Sequence, residues 1–212
     1  MDLEHTFREG AAAYDIEDFG TAAAKLIPLA EGGHAGAQYL VGDMYRWGSG
    51  VQQDAVKSLH LMKASADQGN PKAAFDLFLL LSSGGEAAPA AMQSLPKDAE
   101  ASKRYLDVAV IRFRELAEAG DMDSMAHLGL LFHHGWGVEM DGAEAIRWYT
   151  KAFDAGGFGA ANNLSLVYYE GDIRVRDKTK ALFWYMKTKE HDCQCVGIQE
   201  FESLPSGSSP KG

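Results

Sequence analysis

The stretch Gly129-Leu130-Leu131-Phe132-His133-His134-Gly135-Trp136-Gly137-Val138-Glu139-Met140-Asp141-Gly142-Ala143-Glu144-Ala145-Ile146-Arg147-Trp148 decides the fold. Its marks return 36 residues on: Gly129, Phe132, Gly135, Asp141, Ala145 and Trp148 become Ser165, Tyr168, Gly171, Asp177, Ala181 and Trp184, without a gap. A fixed period of this length is the signature of a stacked repeat array in which each unit is one supersecondary element. Within the unit, Leu128, Leu131 and Phe132 recur at helical spacing, which predicts a first helix over Asp123–His134. The Gly135-Trp136-Gly137 turn ends it, because glycine tolerates the positive φ of a helix C-cap. Asp141 followed by Glu144 reads as a capping box opening a second helix, which carries Ala145, Trp148 and Ala152 on one side. Small residues at Gly129, Ala145 and Ala181 would let neighbouring helices approach closely.

Working outward, Gly33, Ala37, Gly42, Tyr45, Gly48, Gly50, Val51 and Asp54 fall into the same frame. The glycines that end successive units are Gly33, Gly69, Gly120 and Gly156, with steps of 36, 51 and 36. The excess of 15 in the middle step divides into two insertions. Gly84 to Asp98 is eight residues longer than Gly48 to Asp54, and Asp98 to Gly120 is seven longer than Asp54 to Gly69. The second unit is therefore expected to carry a long loop over 82–97 and a second helix extended by about two turns. Ahead of the repeats, 1–32 reads as an entry pair of helices, Leu3–Tyr14 and Asp18–Glu31, with Phe7, Tyr14, Phe19, Leu26 and Leu29 as core. The repeats follow over 33–190 as 33–68, 69–119, 120–155 and 156–190, and 191–212 forms a C-terminal tail. One helix pair cannot bury its apolar stripe alone, whereas stacked copies can. The expected fold is all-α: a right-handed α–α superhelix, or solenoid, of about four and a half helix–turn–helix repeats.

The pattern Ala-x-x-x-(Leu)-Gly-x-x-Tyr-x-x-Gly-x-Gly-Val-x-x-Asp-x-x-x-Ala-x-x-Trp resembles that of the Sel-one-like repeat, a relative of the tetratricopeptide repeat. The third and fourth units carry it best, through Leu128-Gly129, Gly135-Trp136-Gly137-Val138, Asp141, Ala145 and Trp148, then Leu164, Tyr168, Gly171, Asp177, Ala181 and Trp184. The first unit matches through Ala37-Gln38 and Gly48-Ser49-Gly50-Val51, but has Leu61 where the tryptophan belongs. The second lacks both the Gly-x-Gly-Val turn and the tryptophan. The entry segment Ala13-Tyr14, Asp18-Phe19, Leu26 and Pro28-Leu29-Ala30-Glu31 is similar to that of bacterial members. The resemblance implies a scaffold or adaptor that works through protein–protein contacts, with no chemistry shared across the family.

Composition narrows the partners. The net charge is −10 and the pI about 5.1, which argues against a nucleic-acid ligand and against an anionic membrane surface. A basic or neutral protein stays open. The two cysteines, Cys193 and Cys195, cannot make a disulfide framework. The acidic start, Met1-Asp2-Leu3-Glu4-His5, does not read as a signal peptide, so the expected compartment is the cytoplasm.

By analogy to the tetratricopeptide repeat, one side of each first helix lines a concave binding face. That side carries Tyr39, Asp43 and Arg46, then Phe75, Leu79 and Ser82, then Ala126, Leu130 and His133, and finally Asn162, Leu166 and Tyr169. Phe75, Leu79, Leu130 and Leu166 are apolar where a solvated face would be polar, which suits an apolar peptide or helix. The competing reading is that curvature of the array buries them. No cofactor, metal or catalytic group is assigned. Adjacent His133 and His134 point about 100° apart on a helix and do not share an ion. His191, Cys193 and Cys195 alternate but lack a fourth ligand. Ser94-Leu95-Pro96-Lys97 has the Ser-x-x-Lys spacing of penicillin-recognising hydrolases, without the partner motifs that a β-lactamase-like enzyme requires. That hydrolase and a structural homo-oligomer are the alternatives to a scaffold, and a homodimer stays open.

Overall fold

The computed structural model describes residues 2–84, 89, 92, 97–171 and 174–191. Among these residues there are ten α-helices and no strand. They are α1 (Leu3–Asp15), α2 (Phe19–Glu31), α3 (Ala35–Trp47), α4 (Ala55–Asp67), α5 (Pro71–Ser83), α6 (Ala99–Glu118), α7 (Met122–His134), α8 (Gly142–Asp154), α9 (Ala160–Glu170) and α10 (Lys178–Glu190). The helices form consecutive antiparallel-type pairs of a helical-repeat fold, grouped in two units, Met1–Arg112 and Phe113–Gly212. No helix of the described residues is long and apolar enough to cross a membrane.

In the second unit, Asp121 opens α7 by accepting the Ser124 N–H at 2.8 Å. Gly135 closes that helix in the left-handed region, φ +68°, with its N–H donating to the Leu131 carbonyl. The chain then turns until the Asp141 N–H reaches the Phe132 carbonyl at 2.9 Å. The Asp141 carboxylate accepts the N–H groups of Ala143 and Glu144 at 2.9 and 3.1 Å, capping α8 as N-cap aspartates do. The reciprocal half of the expected capping box is not made. The Asp141 N–H is already engaged by Phe132, and the Glu144 carboxylate turns to Arg147 at 2.6 Å.

That clasp from the cap N–H to a carbonyl nine residues back recurs. Asp54 donates to Tyr45 at 3.0 Å in the first unit, and Asp177 to Tyr168 at 2.8 Å in the second. In the repeat with the insertions the same bond runs from Asp98 to Leu81 at 3.2 Å. The eight extra residues thus fall between the two ends of this bond, and one residue of that segment, Met92, is buried with Leu80 against Ala55 and Leu59. The other insertion lengthens the following helix: α6 has 20 residues, where α4, α8 and α10 have 13.

Each unit has its own core. In the first, Leu26, Val41 and Met44 are buried at the meeting of α2 and α3, with Phe7, Tyr14 and Phe19 packed against them. On α5 the buried residues include Ala73, Ala74, Phe75, Leu77 and Phe78. In the second, Tyr149, Leu164 and Val167 are buried together, and Phe153 and Trp184 cover them. Gly129 makes that packing close, because a Cβ there would lie 2.7 Å from the Tyr149 ring. Trp148 is buried under two cations, Arg147 at 4.6 Å and Lys151 at 4.4 Å from its ring.

Candidate functional site

On the first unit the expected face resolves into a cluster of polar and aromatic groups from α1, α3 and α5. Tyr39, Asp43 and Arg46 stand at helical spacing on α3, which places them on one side. The Tyr14 hydroxyl of α1 donates to Asp43 Oδ2 at 2.5 Å, and the Trp47 indole N–H donates to Asp43 Oδ1 at 3.2 Å. Both oxygens of Asp43 are therefore engaged. The Arg46 guanidinium lies 3.4 Å from Asp76 Oδ2 on α5 and 5.4 Å from the Trp47 ring. Its Nε is buried without a hydrogen-bond partner. The Tyr39 hydroxyl is close enough to the same carboxylate to favour its charged form.

Burial sets the electrostatics of this cluster. It pushes the Asp76 carboxyl up to about 6, with Asp43 adding to the rise while Arg46, Tyr39 and Lys72 oppose it. The hydroxyls of Tyr39 and Tyr14 are held above the ordinary phenol range, first by burial and then by the carboxylates beside them. Both phenols therefore stay protonated, with Tyr14 donating to Asp43. The arrangement holds polar groups in fixed directions, which is a geometry for recognition.

Leu79 is 37% exposed on α5, three residues from Asp76, and Trp47 is 54% exposed at the end of α3. Phe75 departs from the expected surface position. It is only 6% exposed, with its ring 5.8 Å from that of Phe78, and belongs to the core. The open stripe of α5 runs through Lys72, Asp76, Leu79 and Ser82, so Leu79 and Ser82 keep the expected side while Asp76 stands there in place of Phe75.

On the second unit Leu130 is partly buried against the Tyr149 and Leu164 core, and Leu166 and Tyr169 pack on Ala181 and Tyr185. Asn162 is partly buried, as is Ala126. His133 stacks on His134 at 4.6 Å, and His134 on Trp136 at 4.5 Å. Burial lowers the proton affinity of His133, with His134 adding to the effect. Among the described residues no group of three His, Cys, Asp or Glu side chains is placed to hold a metal ion. Ser94, Cys193, Cys195 and most of the 82–97 loop lie outside the described residues.

Sequence reading missed Asp76 and Trp47 as members of the cluster, and took Tyr14 for core alone. The signal for Asp76 was available: it is the one carboxylate in the apolar run Ala73-Ala74-Phe75-Asp76-Leu77-Phe78-Leu79-Leu80-Leu81, and a charge in such a run needs partners.

The helix pairs, glycine stops and aspartate clasps define a protein of the α-helical repeat class. Comparison with known proteins makes this specific. A family model described as Sel1 repeat matches residues 35–70, 123–157 and 159–190. A Sel1 repeat protein of Oxalobacter formigenes has a solved structure with 26% identity and a TM-score of 0.56, over 87% of this chain and 69% of that one. A protective antigen of uropathogenic Escherichia coli strains, displaying an SLR fold, has 27% identity and a TM-score of 0.51 over 79% of this chain. The matched part is 33% of the antigen's own length. The chain carries three Sel1 repeats, the unit of the Sel1-like repeat (SLR) family.

Proposed function

We propose that the chain is a non-catalytic scaffold that binds a protein or peptide on the open side of its first helices, acting as an adaptor in the cytoplasm. The observation that carries the reading is the cluster of Tyr14, Tyr39, Asp43, Arg46, Trp47 and Asp76, with Leu79 exposed beside it. A fixed array of donors and acceptors next to an exposed leucine and an exposed indole suits a peptide with polar backbone groups and apolar side chains. The three Sel1 repeats support the scaffold reading, since Sel1 repeat proteins are generally protein-interaction modules. On the second unit, His133 and Asn162 are the partly buried polar positions of the same row, flanked by Leu130, Leu166 and Tyr169.

The test is affinity capture from source-cell lysate with wild type and an Arg46→Glu/Leu79→Asp variant whose helicity matches wild type. Phe75 is left intact because a charge in its core position would unfold the unit. A partner held by wild type and lost by the variant supports the reading. A partner held equally by both overturns it for this face.

A further inference from the structure

The two units contain one groove twice, filled differently. In the second unit the groove between α8 and α10 is closed by two rings, Phe153 and Trp184, which meet edge to face at 5.1 Å. In the repeat frame Phe153 corresponds to Ala30 of α2, and Trp184 to Leu61 of α4. Other positions keep their character: Tyr168 matches Tyr45 and Lys180 matches Lys57. The lysine lies over the tyrosine ring in both, at 5.3 Å in the second unit and 5.1 Å in the first. Where the rings are missing, the first unit has a cavity of about 330 Å³, lined by Ile27, Ala30, Val41, Tyr45, Val56 and Leu61.

The cavity lies on the side of α3 away from the cluster above, since Val41 is about 200° round the helix from Tyr39. Its walls are apolar and already shaped, as ligand sites are. Charge sits only at the mouth. On the α4 lip are the exposed His60 and Lys57, whose side chain is 62% exposed and 3.8 Å from the Asp54 carboxylate, a loose surface pair that a partner carboxylate can replace, while Glu31 stands on the α2 lip. The one lysine of the lining, exposed at the mouth of a cavity in a chain of net charge −10, favours an anionic group next to whatever enters it.

We propose that the α2–α4 cavity seats an aromatic side chain of a protein partner, in the place the chain's own Trp184 and Phe153 fill in the second unit, with a neighbouring carboxylate of the partner paired to Lys57. This surface is separate from the inner-face cluster. The chain can use both at once, one partner segment on each side of α3.

The test titrates the full-length protein with N-acetyl-Trp-Glu-amide and follows methyl resonances of Ile27, Val41 and Leu61 by NMR. Saturable shifts confined to these residues are expected. Leu61→Trp should abolish them and raise the melting temperature, because its own indole fills the space. Val56→Glu, at a lip residue that is 80% exposed, gives a second block that does not touch the core. Lys57→Glu should weaken binding about fivefold, the scale of one exposed charge pair. Binding should survive in Arg46→Glu/Leu79→Asp, which separates this proposal from the inner-face reading. Three results would each overturn it: no shift with the peptide, equal binding by Leu61→Trp, or free indole bound as tightly as the peptide and indifferent to Lys57→Glu. The last outcome would make the cavity a small-molecule site.

Discussion

Gly129 and Gly42 hold equivalent places in the first helices of two repeats, yet the same substitution should act oppositely at them. A Cβ at Gly129 would meet Tyr149 Cδ1 at 2.7 Å, Cε1 at 2.8 Å and Cγ at 3.0 Å. Carbon atoms rest about 3.5–4.0 Å apart, so the ring would have to retreat by roughly 0.8 Å or more. Tyr149 is fully buried and has no room to do so. Overpacking of this kind costs about 1–3 kcal/mol, against a gain of about 1 kcal/mol from replacing a helical glycine by alanine. Gly129→Ala should therefore destabilise the α7–α8 pair by up to about 2 kcal/mol. At Gly42 the nearest atom is Met62 Cγ at 3.1 Å. Met62 is buried as fully as Tyr149, but its flexible chain has to give by only a few tenths of an ångström, so Gly42→Ala should lie between neutral and about 1 kcal/mol more stable. Repeat arrays do not always unfold in one step, so the assay is amide hydrogen exchange read helix by helix, supported by thermal melts. Tyr149→Leu should relieve the Gly129→Ala penalty in a double-mutant cycle. Equal effects of the two alanine variants, or no relief from Tyr149→Leu, would refute the argument from ring contact.

Three further outcomes are expected. Asp141→Ala should cost about 1 kcal/mol as a lost N-cap, whereas Glu144→Ala should cost less than about 0.5 kcal/mol because no reciprocal box exists; denaturant melts of both variants check this. Tyr149→Phe removes a buried hydroxyl that has no partner, and should raise stability by about 1 kcal/mol in the same melts. Asp76 titrates near 6 when folded, above its ordinary 3.8, so the folded state holds the proton more tightly. The resulting stabilisation is complete below about pH 3.8 and is lost as pH rises through about 6. Between pH 5 and pH 7.5, wild type should lose about 1 kcal/mol relative to Asp76→Asn, and a flat difference across that range would contradict the burial of Asp76.

The fold was legible because its determinants are local and repeat. Gly48, Gly84 and Gly135 mark stops that need a positive φ, and Asp54, Asp141 and Asp177 mark starts, so a period of 36 residues carried through the sequence. The length arithmetic even located both insertions, which the Asp98–Leu81 bond and the 20-residue α6 display. The face proposed for binding was read less well. Periodicity gives the spacing of a stripe but not its edge: Leu79 and Ser82 kept the expected side, while Phe75 turned inward and the half-buried Asp76, about 100° on, joined the cluster. Tyr14 belongs to a different helix pair, and its contact with Asp43, 29 residues away, arises only from packing. The cavity between α2 and α4 was half legible, since the missing tryptophan at Leu61 is visible in sequence, but the paired loss at Ala30 needs the neighbouring helix.

The clasp from Asp98 to Leu81 gives this molecule a natural grafting point. The bond ties the end of α5 to the start of α6, and between them only Met92, packed with Leu80, is seen to anchor the described part of the chain. Doubling the length of a flexible connection adds only about 0.6 kcal/mol of closure entropy. A guest segment, such as an epitope or a small reporter domain, can be inserted after Gly84 with the host repeats keeping their alignment, provided that Met92, buried with Leu80, is kept. Evolution of the same kind, by exchange of one loop at a clasped joint, would let relatives diversify what they recognise while the stack beneath stays unaltered.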